Sequence, residues 1–325
     1  MTRAVEVQEC GGPEVLQFAN IDVGSPGPNE LRIRHTYVGL NYIDVYYRTG
    51  VYKTPTMPFV PGLEGAGVVE AVGAGVQGFA VGDRVAYAGG PLGAYAETRL
   101  LAADRAIKLP GSIPDDVAAA MMLKGMTAQY LLRQTYPVKA GDVVLFHAAA
   151  GGVGLIACQW AKVLGATVIG TVGSDAKAEL ARAHGCDHTI VYTRENFVGS
   201  VLALTEGKKV SVVYDGVGLD TFPGSLDCLR PRGLMVLFGQ SSGKVPPFDL
   251  GVLAAKGSLF ITRPTLFSYT SKSADLQSCA RDLIDVVSSG AVKISIGARH
   301  DLSAVADAHR ELEARKTTGA TVLKV

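Results

Sequence analysis

A run of small residues at positions 148–154 is the segment of this sequence best suited to bind a phosphate group. The apolar stretch Val143–Phe146 precedes it, a segment with helical apolar spacing follows it, and the β-branched stretch Thr167–Val172 comes next. In a strand, glycine turn, helix and strand of this kind, backbone N–H groups and a helix N-terminus approach a pyrophosphate. We therefore predict a dinucleotide site with a phosphate cradle of Ala150, Gly151, Gly152 and Val153. Ala149 stands where the usual pattern has its first glycine, so an ordinary tight connection is the alternative.

The end of the second strand indicates which dinucleotide would fit. Sites for NAD usually place an acidic side chain there, about 20 residues after the glycine turn, where it accepts hydrogen bonds from ribose hydroxyls. This sequence has Thr171, Val172, Gly173 and Ser174 at that place, with Lys177 close behind. An acid would repel a 2′-phosphate and an amine would attract it, so the pattern predicts NADPH. Considered alone, Lys177 would more often be a solvated helix residue.

Further candidates follow the later apolar strands. Tyr192 ends the third strand, where its ring either lies near the adenine ribose phosphate or packs against a loop. Residues 214–218, and then Phe238 with Gly239, come at the carboxyl ends of the fourth and fifth strands. Ligands bind in the crevice at that edge of an open α/β sheet, so these turns are predicted to border the nicotinamide half. Purely structural turns are the alternative.

The composition favours a small-molecule partner. The chain has 325 residues, enough for two domains, with 31 lysine and arginine residues against 30 aspartate and glutamate residues. This balance provides no attraction to nucleic acid or to an anionic membrane. The five cysteines lie far apart with no zinc-binding spacing, which is typical of reduced and mostly buried thiols. No signal peptide or membrane-spanning run is recognised, so we expect a soluble, cytoplasmic protein.

The pattern along the chain predicts two domains. Residues 1–124 contain short alternating segments cut by glycine and proline, which is typical of antiparallel β structure. Predicted strands in this part cover residues 31–39, 67–72, 84–87 and 94–100. Residues 125–264 alternate short apolar strands with helices, which predicts a doubly wound parallel α/β sheet. Its predicted strands cover residues 143–147, 167–172, 188–191, 210–214, 234–238 and 259–262.

The tail, residues 265–325, is predicted to return to the first domain, so that the nucleotide domain is an insertion within it. We expect an amphipathic helix at 273–289, a strand at 292–296, a helix near 302–314 and the final strand Ala320–Lys324. No internal repeat or low-complexity linker separates these segments.

Five motifs follow one another through the chain: GGPEVL at 11–16, NYID at 41–44, PGLEGAG at 61–67, GDRV at 82–85 and the 148–154 turn. Together they resemble the medium-chain dehydrogenase/reductase superfamily, and specifically the zinc-independent NADPH:quinone oxidoreductases related to zeta-crystallin. The resemblance covers the whole chain. It implies a Rossmann sheet inserted in a β-rich GroES-like domain and NADPH as the cofactor.

The same superfamily includes zinc alcohol dehydrogenases, which carry a catalytic cysteine, a Gly-His-Glu segment and a lobe with four cysteines. At the corresponding places this sequence has Asn41 and Gly62-Leu63-Glu64, and residues 85–107 contain no cysteine. Without thiolate or imidazole ligands, we expect no metal and no metal-assisted alcohol oxidation.

The resemblance also implies which residues border the cofactor. Asn41, Ile43 and Thr127 would flank the nicotinamide, and Gly173, Lys177 and Tyr192 would surround the 2′-phosphate. The contact would be completed by Val217, Phe238, Gly239, Ser241, Arg263 and Arg315. From the residues alone, Asn41 could instead form a turn, Thr127 could begin a helix and Arg263 could belong to a surface ion pair.

The predicted activity is reduction of a flat acceptor, which requires placement and exclusion of water more than acid–base chemistry. Tyr46 and Tyr52 are the candidates to stack on or hydrogen-bond the acceptor, with packing inside a β domain as the alternative. No residue is singled out as a proton donor. Quinone reduction is the first hypothesis, and reduction of α,β-unsaturated ketones or aldehydes is the second. RNA binding is the third, which the near-zero net charge disfavours.

An apolar segment at 257–262 is predicted to form the edge strand of the parallel sheet. Such an edge can pair with a second copy of itself, and the resemblance implies a homodimer joined in this way. We therefore expect an interface near Phe260.

Overall fold

The computed structural model describes residues 1–54 and 56–325, which form two compact units. Unit 1 comprises Met1–Met126, Thr270–Ile284 and Ile294–Val325, and unit 2 comprises Thr127–Tyr269 and Asp285–Lys293. Each unit has its own sheets and its own hydrophobic core.

The strands fall into three groups along the chain. Unit 1 begins with β1 Thr2–Glu6, β2 Gln17–Ile21, β3 Glu30–Leu40, β4 Glu64–Val72, β5 Arg84–Ala88, β6 Thr98–Ala102 and β7 Ile107–Lys108. Unit 2 contains β8 Val143–Phe146, β9 Thr167–Val172, β10 His188–Val191, β11 Val210–Asp215, β12 Leu229–Leu237 and β13 Phe260–Thr262. Unit 1 resumes with β14 Ile296–Asp301 and β15 Ala320–Lys324.

The α-helices of the described ranges lie between these strands. They are α1 Tyr42–Arg48, α2 Asp115–Tyr130, α3 Gly152–Val163, α4 Asp175–Ala183, α5 Phe197–Leu204, α6 Phe222–Asp227, α7 Gly251–Ala255, α8 Leu266–Tyr269, α9 Ser273–Ser288 and α10 Val305–Glu313. Leu131–Thr135 continues α2 as a short π-helix.

The main sheet of unit 1 has seven strands in the order β14-β15-β3-β4-β5-β7, with β6 also paired to β3. Most pairs are antiparallel, and only β14 and β15 run parallel. Strand β3 begins with a period-two pattern in which Leu31 and Ile33 are fully buried, as expected when one face covers a core. Tyr87 and Tyr95 are buried in the same core. The prediction of a β-rich first domain is confirmed.

The sheet of unit 2 is entirely parallel, in the order β10-β9-β8-β11-β12-β13. The order reverses between β8 and β11, which is the topological switch point of a doubly wound fold. Every residue of β11 is buried, because helices cover both faces of such a sheet. The structure confirms the predicted fold class, a doubly wound parallel sheet together with a β-rich unit.

Three predicted strands begin later than expected. The edge strand β13 begins at Phe260 rather than at 257, because Gly257 and Ser258 have positive φ values and form a turn. β6 starts at Thr98 rather than at 94, because the N–H groups of Ala94 and Tyr95 bond to the loop carbonyls of Gly62 and Pro61. β14 starts at Ile296 rather than at 292. Before it, Lys293 exchanges two hydrogen bonds with the side chain of Gln159 instead of entering a strand ladder.

The alternative reading of Thr127 as a helix start is wrong. Thr127 lies inside α2, near its C-terminal end, and it is buried. The helix begins instead at Asp115, where two acidic residues occupy the first turn and interact favourably with the helix dipole.

All five cysteines are free, and four of them are buried, as the sequence predicts; Cys10 is exposed. Within residues 1–54 and 56–325, no helix combines the length and the apolar character that a membrane crossing requires.

Candidate functional site

The turn between β8 and α3 consists of alanine and glycine residues at 148–151, which leave its backbone without large side chains. Ala148 has a φ of 55°, and Gly151 is the extended N-cap residue of α3. A Cβ on Gly154 would lie 2.5 Å from the carbonyl oxygen of Ala148, so only glycine permits this close approach. The helix therefore begins at Gly152 with N–H groups available to an anion, which fits a dinucleotide pyrophosphate.

Four of the predicted residues meet beyond the end of β9. The Ser174 hydroxyl caps α4 by accepting a hydrogen bond from the Lys177 N–H at 3.4 Å. A Cβ on Gly173 would lie 3.0 Å from the Tyr192 hydroxyl oxygen, so the ring of Tyr192 stands directly beside the bare backbone there. Gly173, Ser174, Lys177 and Tyr192 thus form one cluster in unit 2, with the composition expected of a 2′-phosphate site.

One acidic side chain next to this cluster was overlooked in the sequence. Asp175 follows Ser174 directly, and Arg194 donates two hydrogen bonds to its carboxylate, at 2.5 and 2.6 Å. These bonds hold the pKa of Asp175 below its usual value. Because the charge of Asp175 is matched by a guanidinium, the carboxylate does not present an isolated negative charge beside Lys177.

A buried network fixes the ends of three neighbouring strands. Asp215 accepts hydrogen bonds from the N–H groups of Val217 and Gly218 through Oδ1, at 2.8 and 3.0 Å. Its Oδ2 accepts from Ser225, whose hydroxyl lies 3.0 Å from Nε2 of His147. Sequence reasoning missed these partners of Val217, since they are joined only by the fold.

The hydrogen bonds also fix the tautomer of His147. Because Ser225 donates to Asp215, it accepts from the Nε2–H of His147, and Nδ1 then accepts from the Thr171 hydroxyl at 2.8 Å. Burial lowers the pKa of His147, so the ring is held neutral. The network ties β8, β9 and β11 together just below the turns that border the candidate site.

The turns after β11 and β12 are packed against each other. A Cβ on Gly239 would lie 2.5 Å from the carbonyl oxygen of Gly216, which accepts a hydrogen bond from the Ser241 N–H. The ring of Phe238 would lie 3.0 Å from a Cβ on Gly216. The structure therefore brings together Val217, Phe238, Gly239 and Ser241. Arg263 follows β13 in the same unit.

In unit 1, Asn41 is held by two neighbouring carboxylates. It is the N-cap residue of α1, and its N–H donates to Oδ2 of Asp44 at 2.9 Å. Its side-chain amide donates to Oε2 of Glu64 at 2.7 Å. Asn41 is buried, and these two bonds hold its backbone N–H and its side-chain amide respectively. Asn41 therefore has the structural role of an N-cap, as the turn-forming alternative allows, and its contact with the nicotinamide stays a prediction.

Glu64 is fully buried and receives three donors. Besides Asn41, the Leu123 N–H donates to Oε1 at 2.7 Å, and the Lys124 ammonium lies 3.1 Å from Oε2. A buried carboxylate needs such a set of donors to remain charged. In the part of the chain that the structure describes, no group of three potential metal ligands lies together. The donor set here is an amide, a backbone N–H and an ammonium.

A directional chain of hydrogen bonds leads from Asp44 to the surface of unit 1. Arg48 can only donate, so Nδ1 of His309 accepts from it at 3.1 Å. Nε2 of His309 then donates to the Tyr95 hydroxyl at 3.2 Å, and Tyr95 donates to Oδ2 of Asp44 at 2.9 Å. At the outer end, Arg48 forms an ion pair with Glu313.

Burial governs the protonation states in this chain. It raises the pKa of Asp44 to about 7, although the hydrogen bonds from Asn41 and Tyr95 act in the opposite direction. It lowers the pKa of His309 to about 3, which agrees with a neutral ring that accepts from Arg48. Oδ1 of Asp44 is buried and has no hydrogen-bond partner in the described chain, which explains why ionisation of this carboxyl is costly.

The tyrosines after Asn41 form one aromatic cluster. The ring centroids of Tyr42 and Tyr46 are 5.4 Å apart, those of Tyr46 and Tyr52 are 5.1 Å apart, and those of Tyr47 and Tyr52 are 5.7 Å apart. Burial raises the pKa of Tyr42, and the nearby Arg315 acts in the opposite direction. Unit 1 therefore holds Asn41, Ile43, Tyr46, Tyr52 and Arg315, while the remaining candidates belong to unit 2.

Comparison with known proteins gives the family. The model of the alcohol dehydrogenase GroES-like domain matches residues 27–111, and that of the zinc-binding dehydrogenases matches residues 152–283. A quinone oxidoreductase of Pseudomonas aeruginosa is 54% identical over 323 residues, which cover 99% of each chain. The chain belongs to the quinone oxidoreductases of the medium-chain dehydrogenase/reductase superfamily.

Two further relatives of this chain bear on the cofactor and on the substrate class. The crystal structure of Escherichia coli quinone oxidoreductase complexed with NADPH has a TM-score of 0.98 and 46% identity, and the match covers 99% of this chain and 100% of that one. A 2-haloacrylate reductase of a Burkholderia species is 47% identical, with 99% of each chain covered. One of the matching family models is named for zinc-binding dehydrogenases. In this chain the groups that donate to Glu64 are an amide, a backbone N–H and an ammonium, and none of them is a thiolate or an imidazole.

Asp44 provides a test of the buried chain. Its pKa is about 7 in the folded protein against an ordinary value of 3.8, so its contribution to stability is lost as the pH rises from about 4 to about 7. Asp44→Asn keeps an acceptor for Asn41 and Tyr95 and removes the titration. From pH 4 to pH 8, the unfolding free energy of the variant should rise relative to wild type by up to about 4 kcal/mol. Chemical denaturation across this pH range measures the difference. A difference that does not change with pH would contradict the assignment.

Proposed function

We propose that this protein reduces quinones with NADPH as the reductant. The observation that carries the proposal is identity of 46–54% with quinone oxidoreductases over almost the whole chain, one of them solved with NADPH. The local chemistry supports it, because the end of β9 brings together the side chains of Lys177, Tyr192 and Ser174 beside the bare backbone of Gly173. The acid next to them, Asp175, is paired with Arg194.

The cofactor contacts that we propose follow the strand ends of unit 2. The cradle of Ala150, Gly151, Gly152 and Val153 would hold the pyrophosphate, and the cluster of Gly173, Ser174, Lys177 and Tyr192 would hold the 2′-phosphate. Asn41, Ile43 and Thr127 would flank the nicotinamide, and the turns that hold Val217, Phe238 and Gly239 would border the same half. Ser241, Arg263 and Arg315 would complete the contact with the cofactor. When bound, NADPH supplies the hydride or electrons that reduce the acceptor.

The residues of unit 1 are proposed to position the acceptor. Tyr46 and Tyr52 offer two aromatic faces within one cluster, which suits a flat ring. The amide of Asn41 is fixed by Glu64, so it can act as an oriented polar group without reorganisation. A quinone is already a strong electron acceptor, and placement with exclusion of water is the main requirement on the protein.

We further propose the domain limits, assembly and location that the sequence predicts. Residues 125–264 would form the NADPH-binding domain, inserted in a catalytic domain of residues 1–124 and 265–325. β13 is the edge strand of its sheet and Phe260 on it is 60% exposed, which supports a homodimer through this edge. Buried free thiols support a reducing, cytoplasmic location.

Reduction of an activated carbon–carbon double bond is the second candidate. The similarity to a 2-haloacrylate reductase at 47% identity over 99% of the chain favours it. Parallel assays with 1,4-benzoquinone and with 2-chloroacrylate separate the two functions, because both report NADPH oxidation at the same wavelength. Turnover of the acrylate alone would overturn the quinone assignment.

Lys177→Ala tests the cofactor assignment. Loss of one charge-assisted contact to the 2′-phosphate should weaken NADPH binding by roughly 10- to 100-fold and leave NADH binding unchanged. Calorimetry with both coenzymes, followed by NADPH oxidation with 1,4-benzoquinone, measures the effect. The control is Lys162→Ala, which removes a more exposed helix lysine of unit 2 that is paired with Asp187. Equal loss for NADPH and NADH would contradict a 2′-phosphate contact.

Phe260→Asp tests the assembly. A carboxylate at the start of the edge strand would be desolvated on pairing, so the variant should elute as a monomer where the wild type elutes as a dimer. Size-exclusion chromatography with light scattering measures the mass. As a control, Leu250→Asp changes a similarly exposed apolar residue outside the strand. An unchanged mass for Phe260→Asp would place the interface elsewhere.

A further inference from the structure

Unit 1 contains a cavity of about 570 Å³ that is not accounted for by the residues discussed above. Its apolar wall includes Ile21, Val23, Phe59, Val60, Leu63 and Leu92. The size is within the usual range for pockets that take a small organic molecule. Mostly apolar walls of this kind remove a ligand from water, and the few polar groups among them determine what is recognised.

Arg99 is the polar group that distinguishes this cavity. It is only 5% exposed, and its Cζ lies 4.8 Å from the ring centroid of Tyr87. Nε donates to the carbonyl of Leu100 at 3.2 Å, and Nη2 donates to the carbonyl of Pro91 at 3.0 Å. Nη1 is buried and has no hydrogen-bond partner among the described residues.

The charge of Arg99 is also unmatched. No carboxylate of the described chain lies within ion-pair distance of it, whereas the other deeply buried cations, Arg48 and Lys124, are paired with Glu313 and Glu64. A guanidinium remains charged at every accessible pH, so it cannot relieve this cost by losing a proton. A buried cation with an unpartnered N–H and no counter-charge is chemically suited to an anion.

The other charged residue among the described residues of the cavity lining is also a cation. Lys53 is exposed and forms part of the lining, while none of the described lining residues is acidic. Two cations and an apolar wall without a carboxylate select a ligand that combines an apolar body with a negative charge.

The cavity adjoins the aromatic cluster that is proposed to hold the acceptor. Tyr47 belongs to the cavity lining, and its ring centroid is 5.7 Å from that of Tyr52. A substituent on an acceptor placed at Tyr52 would therefore have an apolar space beside it. Arg99 forms part of the cavity lining, and its planar guanidinium suits a planar carboxylate.

We propose that this cavity binds a carboxylate-bearing apolar substituent of the acceptor, with Arg99 as the group that recognises the charge. The inference rests on the proposed function and adds the substrate class: the preferred acceptors are quinones or activated alkenes that carry a carboxylate. Lys53 contributes long-range attraction at the exposed part of the lining.

The experiment compares a 1,4-benzoquinone that carries an acetic acid side chain with its methyl ester. The two acceptors have nearly the same shape and differ in charge. Wild type should show a kcat/KM at least tenfold higher for the acid, expressed mainly in KM. Arg99→Met should reduce the ratio of acid to ester to about one. Lys272→Met, which removes an exposed cation of unit 1 outside the cavity, is the control and should keep the wild-type ratio.

The outcomes separate the inference from the function on which it rests. Equal kcat/KM for acid and ester in wild type, or a ratio that survives Arg99→Met, would overturn the carboxylate site while quinone reduction stands. Failure to reduce either acceptor would overturn the proposed function. In that case calorimetry with 2-naphthoate tests the cavity alone: binding to wild type and not to Arg99→Met supports an anion site, and no binding to wild type overturns it.

A second pair of variants guards against misfolding of Arg99→Met, whose side chain packs on Tyr87. Leu92→Trp fills the cavity without removing a charge, and Lys53→Met removes a cation that is exposed. Both should lower the ratio of acid to ester, Leu92→Trp by about tenfold and Lys53→Met by a few-fold. A ratio that neither variant changes would contradict the proposal.

Discussion

The ion pair between Glu64 and Lys124 is the interaction on which the site in unit 1 depends. Both groups are almost completely removed from solvent, and removal of one partner from a buried pair typically costs about 3–5 kcal/mol. The pair joins β4 to α2, and the remaining lone pairs of Glu64 orient Asn41 at the start of α1. Zinc alcohol dehydrogenases of the superfamily resemble this chain but carry a catalytic cysteine at the place of Asn41 and a Gly-His-Glu segment at the place of Gly62-Leu63-Glu64. Here an ammonium matches the carboxylate charge, and an amide takes the place of the thiolate.

Each unit uses one buried aspartate to hold a functional turn. Asp44 receives the N–H of Asn41 and the hydroxyl of Tyr95, and Asp215 receives the N–H groups of Val217 and Gly218. Each aspartate is connected to a neutral histidine, His309 in unit 1 and His147 in unit 2. A carboxylate can accept several donors at once, so it orders a turn whose backbone would otherwise be free to move. Both turns are thereby preorganised before any ligand binds.

The sequence predicts those parts of the fold and site that local patterns determine. The glycine turn, the parallel strands and the absence of an acid at Gly173 can be read within short windows, and the fold class follows from them. His147 and Ser225 are 78 positions apart, and Tyr95 and His309 are 214 apart, so their contacts exist only after folding. Lys124 did give a signal, because it is the one charge in the apolar stretch AAAMMLKGM. Arg99 gave no signal in the sequence, because its lack of a counter-charge is visible only in the folded structure.

The central claim is that Glu64, Lys124 and Asn41 hold this part of the site by charge and hydrogen bonds rather than as metal ligands, so that the proposed quinone reduction needs no metal ion. The most direct measurement is the rate of NADPH oxidation by 1,4-benzoquinone after exhaustive dialysis against a chelator, with the metal content determined in the same sample. The account predicts an unchanged kcat in protein that contains less than a tenth of an equivalent of zinc, roughly the level of contamination. Loss of activity that stoichiometric zinc restores would contradict it.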